Sequence, residues 1–412
     1  MISLFRHRNY LLFLSARSID SAGTGLGLTA LIVLVTAVGE PVRDSGNLGF
    51  LFFVEPLITL FALLPAGAWI DRLSHRSVLV NAALVRAALL LTIPIVWWAG
   101  ALSAPHLYVV AAGTAIASAF TFVAQTSYLP RVVDAGRLHP ANAALSTAGS
   151  VEAFVMDDVL QSPAKALIRS LPGAGFLVQV VTSLAAALLF RRIDVPEETP
   201  SRGARRPLLR ELGEGVRFLL GRRDLRGLFA AAGLVHISLF ALPIIYLVMI
   251  REAEHSLAAY RWREGGESLG FLTGALIAWP LARRLGGTRV IWLSLLVTQP
   301  FLMLVPLVPD GWPAALHAVP AAVHGAGLSI AGIAQITYLQ RTVPDHLRGR
   351  TLAAWHSVLS LIGLLGNVGW LALSRSLNPA VTIACVVAIL MLAALISLRT
   401  VRETELISPA RL

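Results

Sequence analysis

The chain has 412 residues, 56% hydrophobic and only 14% charged, with a mean hydropathy of +0.73 and a formal net charge of +11. A soluble domain carries about 25% charged residues, so a water-soluble fold is excluded. Nucleic-acid binding is set aside because the arginines cluster in loops between apolar runs, and the single cysteine, Cys385, leaves no disulfide framework.

Twelve apolar runs long enough to cross a bilayer core are predicted, and each must satisfy its backbone internally as a helix. Span 1 (10–37) carries Arg17 and Asp20 one turn apart in SARSIDSAGTG. A carboxylate inside an apolar segment can load and release a proton as its exposure alternates, so Asp20 is a coupling candidate and Arg17 a binding candidate. The other reading is a structural Arg17–Asp20 pair. Span 2 (46–70) contains Glu55 and runs into Gly67-Ala-Trp-Ile-Asp71-Arg72-Leu-Ser-His-Arg76. Asp71 can accept from an arginine or a helix N-terminus and so latch two helices; the plain alternative is a solvated loop charge.

Spans 3 (77–100) and 4 (107–129) precede span 5 (142–168), which reads VEAFVMDDVLQSPAKALIRS over 151–170. Asp158, Gln161, Ser162, Lys165 and Arg169 recur at helical spacing and share one face, with Asp157 beside them and Pro163 able to kink the helix. Lys165 is the only lysine among 34 basic residues. Asp157 and Asp158 are coupling candidates; Asp158, Gln161 and Lys165 are substrate-binding candidates.

Span 6 (174–190) is followed by the longest polar stretch, 191–226, expected to be a flexible linker and then an amphipathic helix. The plain reading is a tether on the membrane face and the minor one a regulatory site. Span 7 (227–250) leads to span 8 (258–281), whose clearly apolar part, Leu269 to Leu281, is too short to cross alone and must recruit RWREGGE (261–267). Tyr260, Arg263, Glu264 and Glu267 then share a face as binding candidates, Glu267 also as a coupling acid. Alternatively Arg261 and Arg263 snorkel to the outer interface. Spans 9 (289–308), 10 (314–339), 11 (351–373) and 12 (377–398) complete the set, followed by a short tail, 401–412. Glu55, Glu152, His236, His317, His324 and His356 are weaker in-span candidates.

The chain is written twice. QTSYLPRVV (125–133) matches QITYLQRTV (335–343) at an offset of 210, and DRLSHRSVLV (71–80) faces RRLGGTRVIW (283–292) at 212. Duplicated halves of apolar segments are the mark of a transporter built from repeats. The arginine-rich loops fall on one side, so the positive-inside rule puts both termini in the cytoplasm. The first apolar run continues as a full span without a cleavage site, so no signal peptide is expected.

The loop after span 2 resembles the G-x-x-x-D-R-x-x-x-R signature of the major facilitator superfamily. LFRHRNYLLFL (4–14), LHPANAALS (138–146), LLRELGEGVRFLLGRRDLRGL (208–228) and VPDHLRGRTLA (343–353) resemble its enterobactin-exporter and macrolide-efflux branch. The resemblance implies an all-α membrane protein with twelve transmembrane helices in two pseudo-symmetric six-helix bundles, 1–190 and 227–400. It also implies a gating role for Gly67, Asp71, Arg72 and Arg76. In the second half Arg283 stands where the acid would be. Spans 5 and 8 are neighbours in that fold, and the related exporters are apolar there, so the charges of this chain imply either a polar substrate pocket or a salt-bridge gate.

No G-x-x-x-x-G-K-[ST] loop, metal cluster or nucleophile–base pair is found, so no cofactor and no enzymatic activity are expected. An ion gradient supplies the work: protons, with sodium as the alternative. The expected function is export of a polar or charged small molecule, such as a siderophore, peptide-like metabolite or antibiotic, by a monomer in a bacterial inner membrane. Import of a similar molecule is the first alternative, and a lipid flippase or membrane enzyme the second.

Overall fold

The computed structural model describes residues 4, 6–37, 45–70, 72–154, 174–197, 208–239, 241–242, 244–245, 257–308, 313–373 and 376–400. Among them are thirteen α-helices: α1 (Arg8–Ala37), α2 (Ser45–Ile70), α3 (His75–Trp98), α4 (Ala104–Val132), α5 (Leu138–Phe154), α6 (Ala174–Arg191), α7 (Leu208–Gly221), α8 (Arg223–Leu239), α9 (Leu257–Leu285), α10 (Arg289–Thr298), α11 (Ala318–Thr342), α12 (Arg348–Leu373) and α13 (Pro379–Thr400). Six helical segments among the described residues are long and apolar enough to cross a membrane. Helix α9 is continuous through 261–267, so the charged RWREGGE stretch is helical; α9 is not one of those six segments. Span 9 changes character at Gln299-Pro300, where proline removes a helical donor and the chain continues as a 3-10 helix, Gln299–Leu307.

The sequence echo becomes a structural one. Residues 125–133 end α4 and residues 335–343 end α11. Each helix stops on an extended valine, Val133 or Val343, whose N–H reaches back four residues to Leu129 or Leu339 at 3.1 and 2.9 Å. Each is followed by a three-residue 3-10 turn, Ala135–Arg137 or Asp345–Leu347. The matched tyrosines Tyr128 and Tyr338 are both buried.

The chain forms two compact units, and each borrows a piece of the other sequence half. One comprises Met1–Asp134, Glu152–Gly215 and Pro344–Ala354; the other comprises Ala135–Val151, Val216–Val343 and Trp355–Leu412. In the first, α1 and α3 pack on α6, α4 packs on α2 and α3, and Phe176, Val180, Leu90 and Leu107 share an apolar core. In the second, α9 and α11 are the most closely packed pair. Gly266, Gly270 and Gly274 recur every four residues on α9 and face Ala318, Ala322 and Ala326 at the same spacing on α11. A Cβ on Gly274 would come within 2.8 Å of the Ala326 Cα, so these helices meet backbone to backbone. In lipid, where burial of apolar surface does not drive helices together, such close contact is what holds them.

Candidate functional site

Among the described residues of the first unit, Asp20 and Arg86 form a buried ion pair. Asp20 of α1 and Arg86 of α3 are 5% and 4% exposed, and Arg86 Nη2 lies 3.0 Å from Asp20 Oδ2. The same nitrogen donates to Thr121 Oγ1 of α4 at 3.2 Å, while the Thr121 hydroxyl donates to the Ala117 carbonyl at 2.9 Å. Ser183 of α6 donates to the other carboxylate oxygen of Asp20 at 3.4 Å. Three helices thus meet at the acid, and α4 joins them through Arg86. Desolvated charges persist only when paired and hydrogen-bonded, and Asp20 is both. The structural alternative weighed from sequence, an Arg17–Asp20 pair, is not the pairing seen: the partner of Asp20 is Arg86. Arg17 is half-buried and is drawn instead to the carboxylate of Glu152. The sequence reading passed over Arg86, although a lone charge midway through span 3 is the same signal that picked out Asp20.

The second unit holds the cluster on α9. Arg263 is 3% exposed and forms an ion pair with Glu267 one turn along the helix. Its guanidinium lies 5.1 Å from the Tyr260 ring centroid and 3.7 Å from Glu264, whose carboxylate is largely exposed. The four residues assigned to one face therefore do come together. Arg263 is buried and its charge is neutralised within its own helix, whereas Arg261 is exposed. Nearby, the fully buried His324 is hydrogen-bonded through Nδ1 to the Gln299 amide oxygen, a pairing that secures a polar group inside the bundle. His236 bonds the Ala232 carbonyl at 2.9 Å, and His317 is buried.

A third set of contacts lies at the arginine-rich loops. Gly67 at the end of α2 lies against Ala353 and Gly349 at the start of α12, and a Cβ there would be 2.7 Å from the Gly349 carbonyl oxygen. Arg76 Nη1 donates to the Ile193 carbonyl at 3.0 Å. Glu197 closes the start of α3: it accepts from the Ser74 hydroxyl (3.0 Å) and from the amides of His75 (2.6 Å) and Arg76 (3.0 Å), with His75 Nδ1 3.3 Å away. A carboxylate at a helix N-terminus satisfies orphan N–H groups and the helix dipole together. Burial alone would raise the Glu197 carboxyl, but these hydrogen bonds outweigh it and hold it down at about 2. In the second unit Asp224, at the start of α8, accepts from Tyr338 (2.6 Å) and Arg222 (2.7 Å). Its carboxyl is likewise held at about 2, the hydrogen bonds from Arg222 and Tyr338 overcoming burial. Arg350 of α12 pairs with Glu214 of α7 at 2.7 Å. Asn142 of α5 donates to Thr337 (3.0 Å) and Gln340 (2.6 Å) of α11. Arg72 donates its backbone N–H to the Trp69 carbonyl at 3.0 Å. Asp71, Asp157, Asp158, Gln161 and Lys165 lie outside the described residues, as does the side chain of Glu55. Among the described residues no group of three metal-ligating side chains occurs.

The sequence matches the Major Facilitator Superfamily over residues 13–367. No curated protein sequence matches the chain. Solved structures similar to it include a bacterial homologue of the iron transporter ferroportin in an outward-facing state (TM-score 0.73, 15% identity, 95% of this chain and 98% of that one). They also include the Escherichia coli fucose:proton symporter FucP (0.71, 14%, 96% and 98%) and the human organic anion transporter MFSD10 (0.70, 15%, 95% and 99%). At such identities the likeness speaks for the fold: an all-α membrane protein with the major facilitator architecture.

Proposed function

The chain belongs to the major facilitator superfamily, a family of transporters, and from that premise we propose that it is a proton-coupled exporter of a polar or charged small molecule. The observation that carries this reading is the buried Asp20, held by Arg86 and Ser183 where three helices of the first unit meet. A proton arriving on Asp20 competes with Arg86 for the same carboxylate. Loading the acid therefore loosens contacts among α1, α3 and α6, and unloading restores them. Such an exchange couples a proton to a change in helix packing, which alternating access requires.

The proposed cargo is a siderophore, peptide-like metabolite or antibiotic, as the likeness to enterobactin and macrolide exporters suggests. The proposed setting is a bacterial inner membrane with the arginine-rich loops and both termini in the cytoplasm, the orientation those loops favour. The test uses proteoliposomes with an imposed pH gradient and a pH-sensitive dye, challenged in turn with a catecholate siderophore, a zwitterionic peptide and a macrolide. At least one polar compound should discharge the gradient, and Asp20→Asn should abolish that discharge in protein that still reconstitutes as a folded monodisperse species. Normal discharge with Asp20→Asn would remove Asp20 from coupling.

A further inference from the structure

The two units make equivalent contacts from unlike chemistry. In the first, Gly67 of α2 lies against Gly349 of α12. The repeat offsets of 212 and 210 carry Gly67 onto Trp279 of α9 and Gly349 onto His139 of α5. In the second unit those two residues also meet: the rings of His139 and Trp279 have centroids 5.7 Å apart, tilted by 43°. One contact is backbone against backbone; its counterpart is ring against ring.

His139 is 0% exposed, and among the described residues neither of its ring nitrogens has a hydrogen-bond partner. Only a neutral imidazole is tolerable there. Protonation would add a unit charge and a second N–H donor at a site where only the main chain of His139 itself favours the charged ring, and burial outweighs it. The charged group acting on it is Arg341 at the end of α11, of the same sign as an imidazolium; α9 presents the uncharged Trp279. Arg341 is itself bonded to the Ala135 carbonyl just before α5 and so is held close.

We propose that His139 is a second proton site, separate from Asp20, whose protonation releases the start of α5 from α9 and α11. While neutral, the ring docks on Trp279 and Asn142 is bonded to α11. Once charged, the ring must leave for water, and the N-terminal turns of α5 go with it. Gly67 and Gly349 carry no titratable group, so only one of the two equivalent contacts responds to protons. The transport reading gives this motion its meaning, since α5 belongs to the first sequence half and its partners to the second.

The sign follows from linkage. Burial first, and Arg341 second, hold docked His139 down at about 4, whereas a solvated histidine titrates near about 6.5. His139 precedes the spanning stretch of span 5. The docked form is therefore fully favoured above about pH 6.5 and loses ground as pH falls from there towards 4. Between pH 7.5 and 5.5 the docked-to-released ratio should drop roughly tenfold.

The test is thiol labelling of the full chain in nanodiscs after Cys385→Ser, with N-ethylmaleimide as the probe. Ala143→Cys reports release, because Ala143 is fully buried against Ala275, Ala278 and Ala282. Gly136→Cys, at an exposed position just before α5, corrects for the pH dependence of the thiol itself. The corrected labelling at 143 should rise about tenfold from pH 7.5 to 5.5. It should be flat in both His139→Phe, which keeps the ring contact, and His139→Gln, which stays neutral. A flat parent response, or a rise that survives both substitutions, overturns the proposal. A rise that disappears in Asp20→Asn assigns the titration to Asp20 and overturns it too. A rise that persists there while transport is lost supports both proton sites independently.

Discussion

Asp20 takes its counter-ion from another helix: Arg86 of α3 reaches it at 3.0 Å, although Arg17 stands one turn away on α1 itself. The pair is buried, so neither charge can be removed alone without stranding the other. Arg86→Met should cost about 3 kcal/mol, because it leaves an uncompensated carboxylate in the interior. Asp20→Asn combined with Arg86→Met should recover most of that loss. Thermal melting in detergent checks it, and additive losses would show that the two residues are not coupled.

Glu197 gives a pH dependence of the same sense as that of His139, in a more acidic window. Its carboxyl, held near 2 by the α3 N-terminus, lies below the ordinary glutamate value of about 4.3. The stabilisation is complete above about pH 4.3 and is lost as pH falls towards 2. Glu197→Gln should lower stability at pH 7 by about 2 kcal/mol and flatten the acid limb of the melting curve between those values. An unchanged acid limb would mean that the cap contributes nothing.

Arg350 and Glu214 join the connecting helix α7 to the start of α12. Both side chains are largely buried, so their coupling should exceed the few tenths of a kcal/mol of an exposed pair. A cycle of Glu214→Gln, Arg350→Gln and the double variant should give about 1 kcal/mol or more in thermal melts. A coupling near zero would make α7 a passive tether.

Asn142 corresponds to Leu352 in the other half, so Asn142→Leu substitutes the residue the repeat uses there. It removes the two hydrogen bonds from Asn142 to Thr337 and Gln340 of α11. The cost should be about 2 kcal/mol, and it falls on the docked position of α5. Labelling of Ala143→Cys should therefore rise roughly 30-fold at pH 7.5, without any change in pH.

The duplicated architecture was legible because it is written in local chemistry. The valine stops and 3-10 turns after α4 and α11 follow from two short motifs, each of which ends its helix in the same way. Asp20 was legible as a charge in an apolar run, yet its partner was not. Spacing along one helix points to Arg17, and nothing in the sequence says that α1 and α3 face each other at that depth. Glu197 was hidden for a related reason. It lies in a polar stretch that reads as linker, and its role exists only once that stretch folds back onto Ser74 and His75. His139 was read as part of a family motif, and its missing hydrogen bonds are a property of the packed fold.

The glycine ladder of α9 also has a mechanical meaning. With Gly266, Gly270 and Gly274 seated on the backbone of α11, neither helix can twist or slide a fraction of a turn without driving main-chain atoms into one another. The two helices therefore act as one stiff rod. The Arg263–Glu267 pair rides on that rod, so a push delivered to α9 at Trp279, where His139 of α5 meets it, bears on α11 as well as on α9.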